Sequence, residues 1–235
     1  MGAISTALQA CRERVRGACE AAGRSASCAT LLAVSKTFPA DAIREAWSAG
    51  QRAFAESYVQ EALAKQGELT DLAIEWHFIG PLQSNKTAPV ARQFSWVHSV
   101  DRLKIAQRLS DQRPPGLPPL NLCIQVNVSG EASKQGVPPG EALALAQAVA
   151  ALPGVRVRGF MTIPEPTSDA AVLRHRFGAV ASLLSSARAA GLAVDTLSMG
   201  MSADLEAAIA AGSTCVRVGT AIFGGRPTLA AGASL

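Results

Sequence analysis

Aromatic residues are scarce in this 235-residue chain: seven Phe, three Trp and one Tyr, 5% of the sequence. So small a stock offers few platforms for stacking nucleobases, which argues against nucleic acid as a partner although the net charge is +4. The basic excess carries no block of like charge, and a small anionic ligand suits it as well. Histidines number three and cysteines five, and no C-x-x-C pair occurs. The spacing of a zinc site is therefore missing, as is the even count of a disulfide scaffold. Cys11, Cys19, Cys28, Cys123 and Cys215 read as reduced, buried thiols. No stretch approaches the roughly 18 consecutive apolar residues of a membrane span. The opening MGAISTALQACRERVRGACEAAGR reads as an amphipathic helix over about residues 3–22, not as a secretory leader. A soluble, cytoplasmic protein with no membrane partner is expected.

What is present is apolar: 49% of residues are hydrophobic against 17% charged, enough for a large core and incompatible with disorder. The length allows one domain of barrel size or two small ones. Short apolar runs alternate with helical segments: TLLAVSK (30–36), RAFAES (52–57), EWHFIG (75–80), SWVHSV (95–100), NLCIQVNVS (121–129), VRVRGFMTI (155–163), DTLSMG (195–200) and TCVRVG (214–219). Three intervening helices end in Ala-Gly ahead of a strand, at Gly50, Gly191 and Gly212, where glycine takes the left-handed turn that stops a helix. Pro89 shortens or kinks another, and RPPGLPPL (113–120) is a stiff surface connector. Eight alternations imply parallel strands with crossover helices. The first strand–helix turn is SKTFPA rather than the G-x-G-x-x-G of an open doubly wound sheet. The expected fold is α/β, a single (β/α)8 TIM barrel over about 30–225 with a short C-terminal tail.

Functional groups of such a barrel gather at the carboxyl ends of its strands, with phosphate often held after strands 7 and 8. Those ends carry Lys36, Glu56 and Ser57, His77 and Gly80, Asn127, Met161, the run Ser198 to Ser202, and Arg217 to Gly225. Alternation places Lys36 with Leu32 and Val34 on the inner face. Desolvation there favours the free amine, which can condense with an aldehyde. Lys36 can equally snorkel to solvent or pair with Glu56, and position alone leaves both open. In SMGMSADLEAAIAAG, Ser198, Gly200 and Ser202 precede a helix whose free N–H groups suit an anion; an ordinary N-cap at Ser202 is the alternative. Gly219 and Thr220 form either a phosphate-binding turn or a plain one. Arg217, inside VRV, needs a ligand or a carboxylate to offset its charge. An amine on strand 1 with a phosphate cradle on strands 7 and 8 describes a site for a phosphorylated aldehyde, of which pyridoxal 5′-phosphate is the commonest.

Residues LLAVSK (31–36), WHFIGPLQSNK (76–86), HSVDR (98–102), QVNVS with the following SKQG (133–136), RGFMTIP (158–164), LSMGMSADLEAAIAAGST (197–214) and VRVGTAIFG (216–224) resemble the pyridoxal phosphate homeostasis protein family, in order over nearly the whole chain. The resemblance implies a barrel related to the N-terminal domain of alanine racemase (fold type III), a monomer in which Lys36 holds pyridoxal 5′-phosphate as a Schiff base. It also implies phosphate contacts, largely through backbone N–H groups, from Ser198, Met199, Gly200, Ser202, Gly219 and Thr220, and Arg217 facing the pyridine nitrogen. Ser57 and Met161 complete the expected lining. A guanidinium can only donate, so that nitrogen would stay unprotonated and the cofactor a weak electron sink. Phe54-Ala55-Glu56-Ser57-Tyr58 departs from the family's F-G-E-N-Y, with Ala55 for glycine and Ser57 for asparagine.

His77 reads as a structural histidine, and Lys86 as a surface charge or part of an interaction face. Three functions fit: a cofactor carrier that buffers or delivers the group to apo enzymes; an amino-acid racemase, which needs a second base where the chain has one tyrosine, Tyr58; and a Schiff-base aldolase, which lacks an evident acid–base pair beside Lys36. The carrier is the expectation.

Overall fold

In the computed structural model, which describes residues 2–130 and 135–225, apolar alternation builds eight short strands: β1 (Thr30–Val34), β2 (Ala53–Glu56), β3 (Glu75–Phe78), β4 (Trp96–Val100), β5 (Leu120–Gln125), β6 (Val155–Met161), β7 (Thr196–Ser198) and β8 (Cys215–Val218). Each pairs in parallel with the next, and β8 returns to β1, so the sheet is a closed barrel. A leading helix α1 (Ala3–Ala21) precedes the strands. The crossovers are α2 (Ala40–Ser48), α3 (Val59–Glu68), α4 (Thr87–Gln93), α5 (Leu103–Gln112), α6 (Pro139–Ala150), α7 (Ala170–Ala189) and α8 (Leu205–Ala210), and α9 (Thr220–Phe223) follows β8. The (β/α)8 barrel expected from the alternation is therefore present. Ser133 and Lys134 of the SKQG motif, and the expected C-terminal tail beyond 225, lie outside the described residues.

Strand alternation sorts the side chains into two shells. Leu31, Ala33, Phe54, Trp76, Phe78, Leu122, Val216 and Val218 point outward into the large core between strands and helices. Leu32, Val34, Ala55 and Cys215 form a small separate cluster inside the barrel. The inward positions of β3, β4, β7 and β8 are mostly polar: Glu75, His77, His98, Ser198 and Arg217. The lumen is thus apolar on one side and hydrogen-bonded on the other.

The three Ala-Gly helix ends behave as expected, with φ of 90° at Gly50, 84° at Gly191 and 105° at Gly212. Several boundaries differ from the sequence reading: β1, β5 and β6 end at Val34, Gln125 and Met161 rather than at 36, 129 and 163. β7 is only three residues long, and α8 starts at Leu205 with Asp204, not Ser202, in the N-cap position. The cause is a turn over 202–204, held by Asp204 Oδ1, which accepts from Met201 N at 2.6 Å.

Candidate cofactor site

Lys36 lies two residues beyond β1, half-buried. Its neighbour Ser35 points outward and donates to Glu56 Oε1 at 2.6 Å, so alternation turns Lys36 into the barrel mouth with Leu32 and Val34. Thr37 then takes φ +70°, a left-handed backbone rare for a β-branched residue. A buried ionic cluster holds this bend. Lys65 Nζ donates to the Ser35 carbonyl at 2.8 Å, to Glu56 Oε1 at 2.8 Å and to Glu61 Oε1 at 2.6 Å, and Glu61 Oε1 also accepts from Thr37 N at 2.5 Å. The backbone on both sides of Lys36 is thereby tied to one ammonium. Glu56, which the sequence offered as a partner for Lys36, instead faces the outer side of β2 and pairs with Lys65. Burial still pushes its carboxyl up, against the pull of that lysine.

Arg217 projects inward from β8 and is buried. Its guanidinium donates to Ser198 O at 2.6 Å, Ser198 Oγ at 2.8 Å and Thr162 O at 2.8 Å. These partners are neutral oxygens, so the charge the sequence left to a ligand or a carboxylate is solvated by the ends of β6 and β7. Burial pulls its pKa down from the ordinary arginine value. Because β8 lies beside β1, with Leu32 level with Arg217, the guanidinium and Lys36 belong to adjacent strands of the same wall.

Gly200 and Gly219 close the mouth above them. Gly200 has φ +96°, and a Cβ there would come within 2.6 Å of Ala208 Cβ, so only glycine fits. A Cβ on Gly219 would stand 3.0 Å from the Val34 carbonyl, which keeps β8 tight against β1. Ile222 N and Phe223 N turn back to Gly219 O at 2.9 Å, while the N–H groups of Thr220 and Ala221 stand ahead of this first intrahelical bond as donors. Ser202 is half-buried in the turn before α8, its carbonyl accepting from Arg14 Nη1 at 2.9 Å. Met161 ends β6, level with Ser198 and turned inward because Phe160 packs outward. Ser57 follows β2 on the inner face, close against Gly80, where a Cβ would stand 2.1 Å from the Ser57 carbonyl. The departure at Ala55 is absorbed by the inner apolar cluster. One expected residue needs correcting: the Met199 side chain packs into the outer core, its N–H donates to the Cys215 carbonyl at 3.1 Å and its carbonyl accepts from Ser213 Oγ at 2.7 Å, so its backbone is spent inside the barrel wall.

The sequence reading missed the polar interior. His77 is not isolated: its Nδ1 lies 2.9 Å from His98 Nε2, its Nε2 lies 2.7 Å from Glu75 Oε1, and His98 Nδ1 lies 2.7 Å from Ser198 Oγ. The one available signal was a histidine at the inward position of two consecutive strands, EWHF and WVHS. Among the described residues no group of three or more His, Cys, Asp or Glu is placed to hold a metal ion, and no helix is long and apolar enough to cross a membrane.

The model of the alanine racemase N-terminal domain matches residues 7–227, which include every residue of this mouth. A pyridoxal phosphate homeostasis protein of Pseudomonas aeruginosa is 59% identical over 226 residues, 96% of this chain and 97% of its own. The chain belongs to the pyridoxal phosphate homeostasis protein family. The family's Escherichia coli member is 52% identical over 96% of this chain and 98% of its own. A structure of PipY from Synechococcus elongatus with PLP bound superposes with a TM-score of 0.81 at 38% identity, covering 94% of this chain and all of PipY. An alanine racemase of Corynebacterium glutamicum, 20% identical with a TM-score of 0.66 over 97% of this chain and 62% of its own, shares the fold.

Proposed function

We propose that this chain is a cytoplasmic, monomeric carrier of pyridoxal 5′-phosphate: one domain that attaches the cofactor through Lys36, buffers it and delivers it to apo enzymes without efficient turnover. The observation that carries the reading is the convergence, on three neighbouring strands, of an inward lysine with a buried guanidinium and the glycine-shaped ends of β7 and β8. The donor set fits a phosphorylated aromatic aldehyde. Thr220, Ala221, Gly200 and Ser202 supply backbone N–H groups for a phosphate, Arg217 is a cation whose hydrogen bonds go to neutral oxygens, and Lys36 supplies an amine. PLP bound in PipY and the naming of the Pseudomonas and Escherichia relatives support the same choice of ligand.

When bound, the cofactor contributes an electrophilic carbonyl and a conjugated ring. The chain's own residues then bind and orient. The Ser35–Thr37 bend fixes where the Lys36 amine emerges, Met161 and Ser57 line the mouth, Ser198 holds the Arg217 guanidinium through its carbonyl and hydroxyl oxygens, and Arg217 donates without accepting, which leaves a ring nitrogen facing it unprotonated. Efficient racemisation requires a base on each side of the substrate. Tyr58, the chain's single tyrosine, stands at the start of α3 with 56% of its surface exposed, a poor position for a poised second base. Borohydride reduction followed by peptide mass mapping tests the reading. A pyridoxyl adduct is expected at Lys36, lost in Lys36→Ala; an adduct on another lysine, or none, rejects it.

A further inference from the structure

The polar side of the barrel lumen is continuous. From the mouth downward, Arg217 Nη1 meets Ser198 Oγ at 2.8 Å, Ser198 Oγ meets His98 Nδ1 at 2.7 Å, His98 Nε2 meets His77 Nδ1 at 2.9 Å, and His77 Nε2 meets Glu75 Oε1 at 2.7 Å. All of these residues except Glu75 are buried. Glu75 opens on a cavity of about 300 Å³ at the amino ends of the strands, which Trp96, Arg158, Asp195 and Thr214 also line. The chain therefore links the cofactor end of the barrel to solvent at its opposite end.

Its two ends dictate the direction of every proton in it. A guanidinium only donates and an ionised carboxylate only accepts, while a neutral imidazole donates from one nitrogen and accepts at the other. Glu75 must take the proton of His77 Nε2. His77 Nδ1 is then an acceptor and takes the proton of His98 Nε2. His98 Nδ1 in turn takes the hydroxyl proton of Ser198, and the Ser198 oxygen is left to accept from Arg217. The electrostatics suit these states. Burial holds His77 and His98 below the ordinary histidine range, the second further lowered by His77 and Arg217, and the bond from His77 holds the Glu75 carboxyl down. The other titratable groups around the chain are Asp204, whose charge favours the Arg217 cation, Arg158 and Asp195, paired with each other at 2.6 Å, and the thiols Cys123 and Cys215, both pushed up by burial and uncharged.

We propose that Glu75, His77 and His98 are positioning residues for the cofactor's ring end: a one-way hydrogen-bond relay in which the carboxylate at the far opening fixes the Ser198 hydroxyl, and through it the Arg217 guanidinium. The relay's function rests on the cofactor reading above, but its direction does not. The test is run first on the cofactor-free protein labelled with ¹⁵N-histidine, at neutral pH, by long-range ¹H–¹⁵N correlation, with exposed His175 as the solvent reference. His77 and His98 are both expected neutral with the proton on Nε2. A proton on Nδ1 of His98, or a doubly protonated ring at either position, overturns the relay. Glu75→Gln, which removes the acceptor-only end while keeping size, is then expected to give His98 a mixture of tautomers and to weaken pyridoxal 5′-phosphate binding about five-fold. An unchanged affinity overturns the positioning role. If the wild-type chain fails to bind the cofactor, the carrier reading and the positioning role fall together, while the histidine signals still decide the relay's direction.

Discussion

Arg217 exchanges water for three neutral oxygens on two neighbouring strands, and that division of labour between its two terminal nitrogens is what a lysine cannot copy. Arg217→Lys puts a single ammonium where Ser198 and Thr162 both need a donor. The variant is expected to hold pyridoxal 5′-phosphate at least about ten-fold more weakly and to lose about 1–3 kcal/mol of stability, from carbonyls left unsatisfied in the interior. Equilibrium dialysis and urea unfolding measure the two effects separately. Arg217 and Lys36 were legible in the sequence because a charge inside an apolar strand stands out. His98 was not, since HSVDR reads as an ordinary polar strand end, and the significance of its ring depends on the register that sets β3 against β4 and on Ser198 arriving from a hundred residues away. Met199 was assigned to the mouth with its neighbours through its backbone, yet its N–H is taken by the Cys215 carbonyl of β8 and its side chain turns to the other shell.

Among the elements, β6 is the one whose geometry depends on a single missing side chain. Gly159 has φ +151°, and a Cβ there would stand 1.9 Å from the Thr196 carbonyl of β7; the register of β5 on β6 shifts just beside it. The obstructing atom is backbone, so Gly159→Ala has to displace β7, and β7 carries Ser198. A loss of about 2–4 kcal/mol is expected, with weakened cofactor binding. Gly178→Ala, mid-way along α7 with nothing near the added methyl, is instead expected to be neutral or to stabilise by up to about 1 kcal/mol. Thermal or urea unfolding of the pair checks both signs. The count and order of elements were legible because short runs with an apolar outer face recur and three helices carry their own Ala-Gly stop signal. The start of α8 was not, because a serine at 202 and an aspartate at 204 are equally good caps in sequence, and only the turn between them selects Asp204.

For the molecule as a whole, the two lumen histidines couple stability to pH. In the unfolded chain both titrate near 6.5; in the folded barrel burial keeps both neutral to lower pH. Below about pH 6.5 the unfolded chain therefore binds up to two more protons, and stability falls by about 1.4 kcal/mol per pH unit for each ring. Above that pH the contribution is complete and flat. Urea midpoints are expected to drop on acidification from neutral pH, and His98→Gln to remove about half of the slope. A midpoint that rises on acidification over this range contradicts the buried neutral state. The barrel class was legible from the alternation. The polar lumen was not, because composition cannot distinguish a histidine that faces helices from one that faces the barrel axis.

The first helix supplies no residue to the mouth, yet it grips both loops expected to hold a phosphate. Arg14 donates to the Ser202 carbonyl and pairs with Glu206, and Cys11 Sγ donates to the Ala221 carbonyl at 3.6 Å. As the polypeptide leaves the ribosome, Lys36 is made early, but the loops proposed to grip the ligand's far end wait for residues some two hundred positions downstream to fold back against the starting helix. Vitamin capture, on the proposed reading, is accordingly an act of the finished chain, and trimming its first two dozen residues is expected to loosen the cargo without touching any of the groups proposed to contact it.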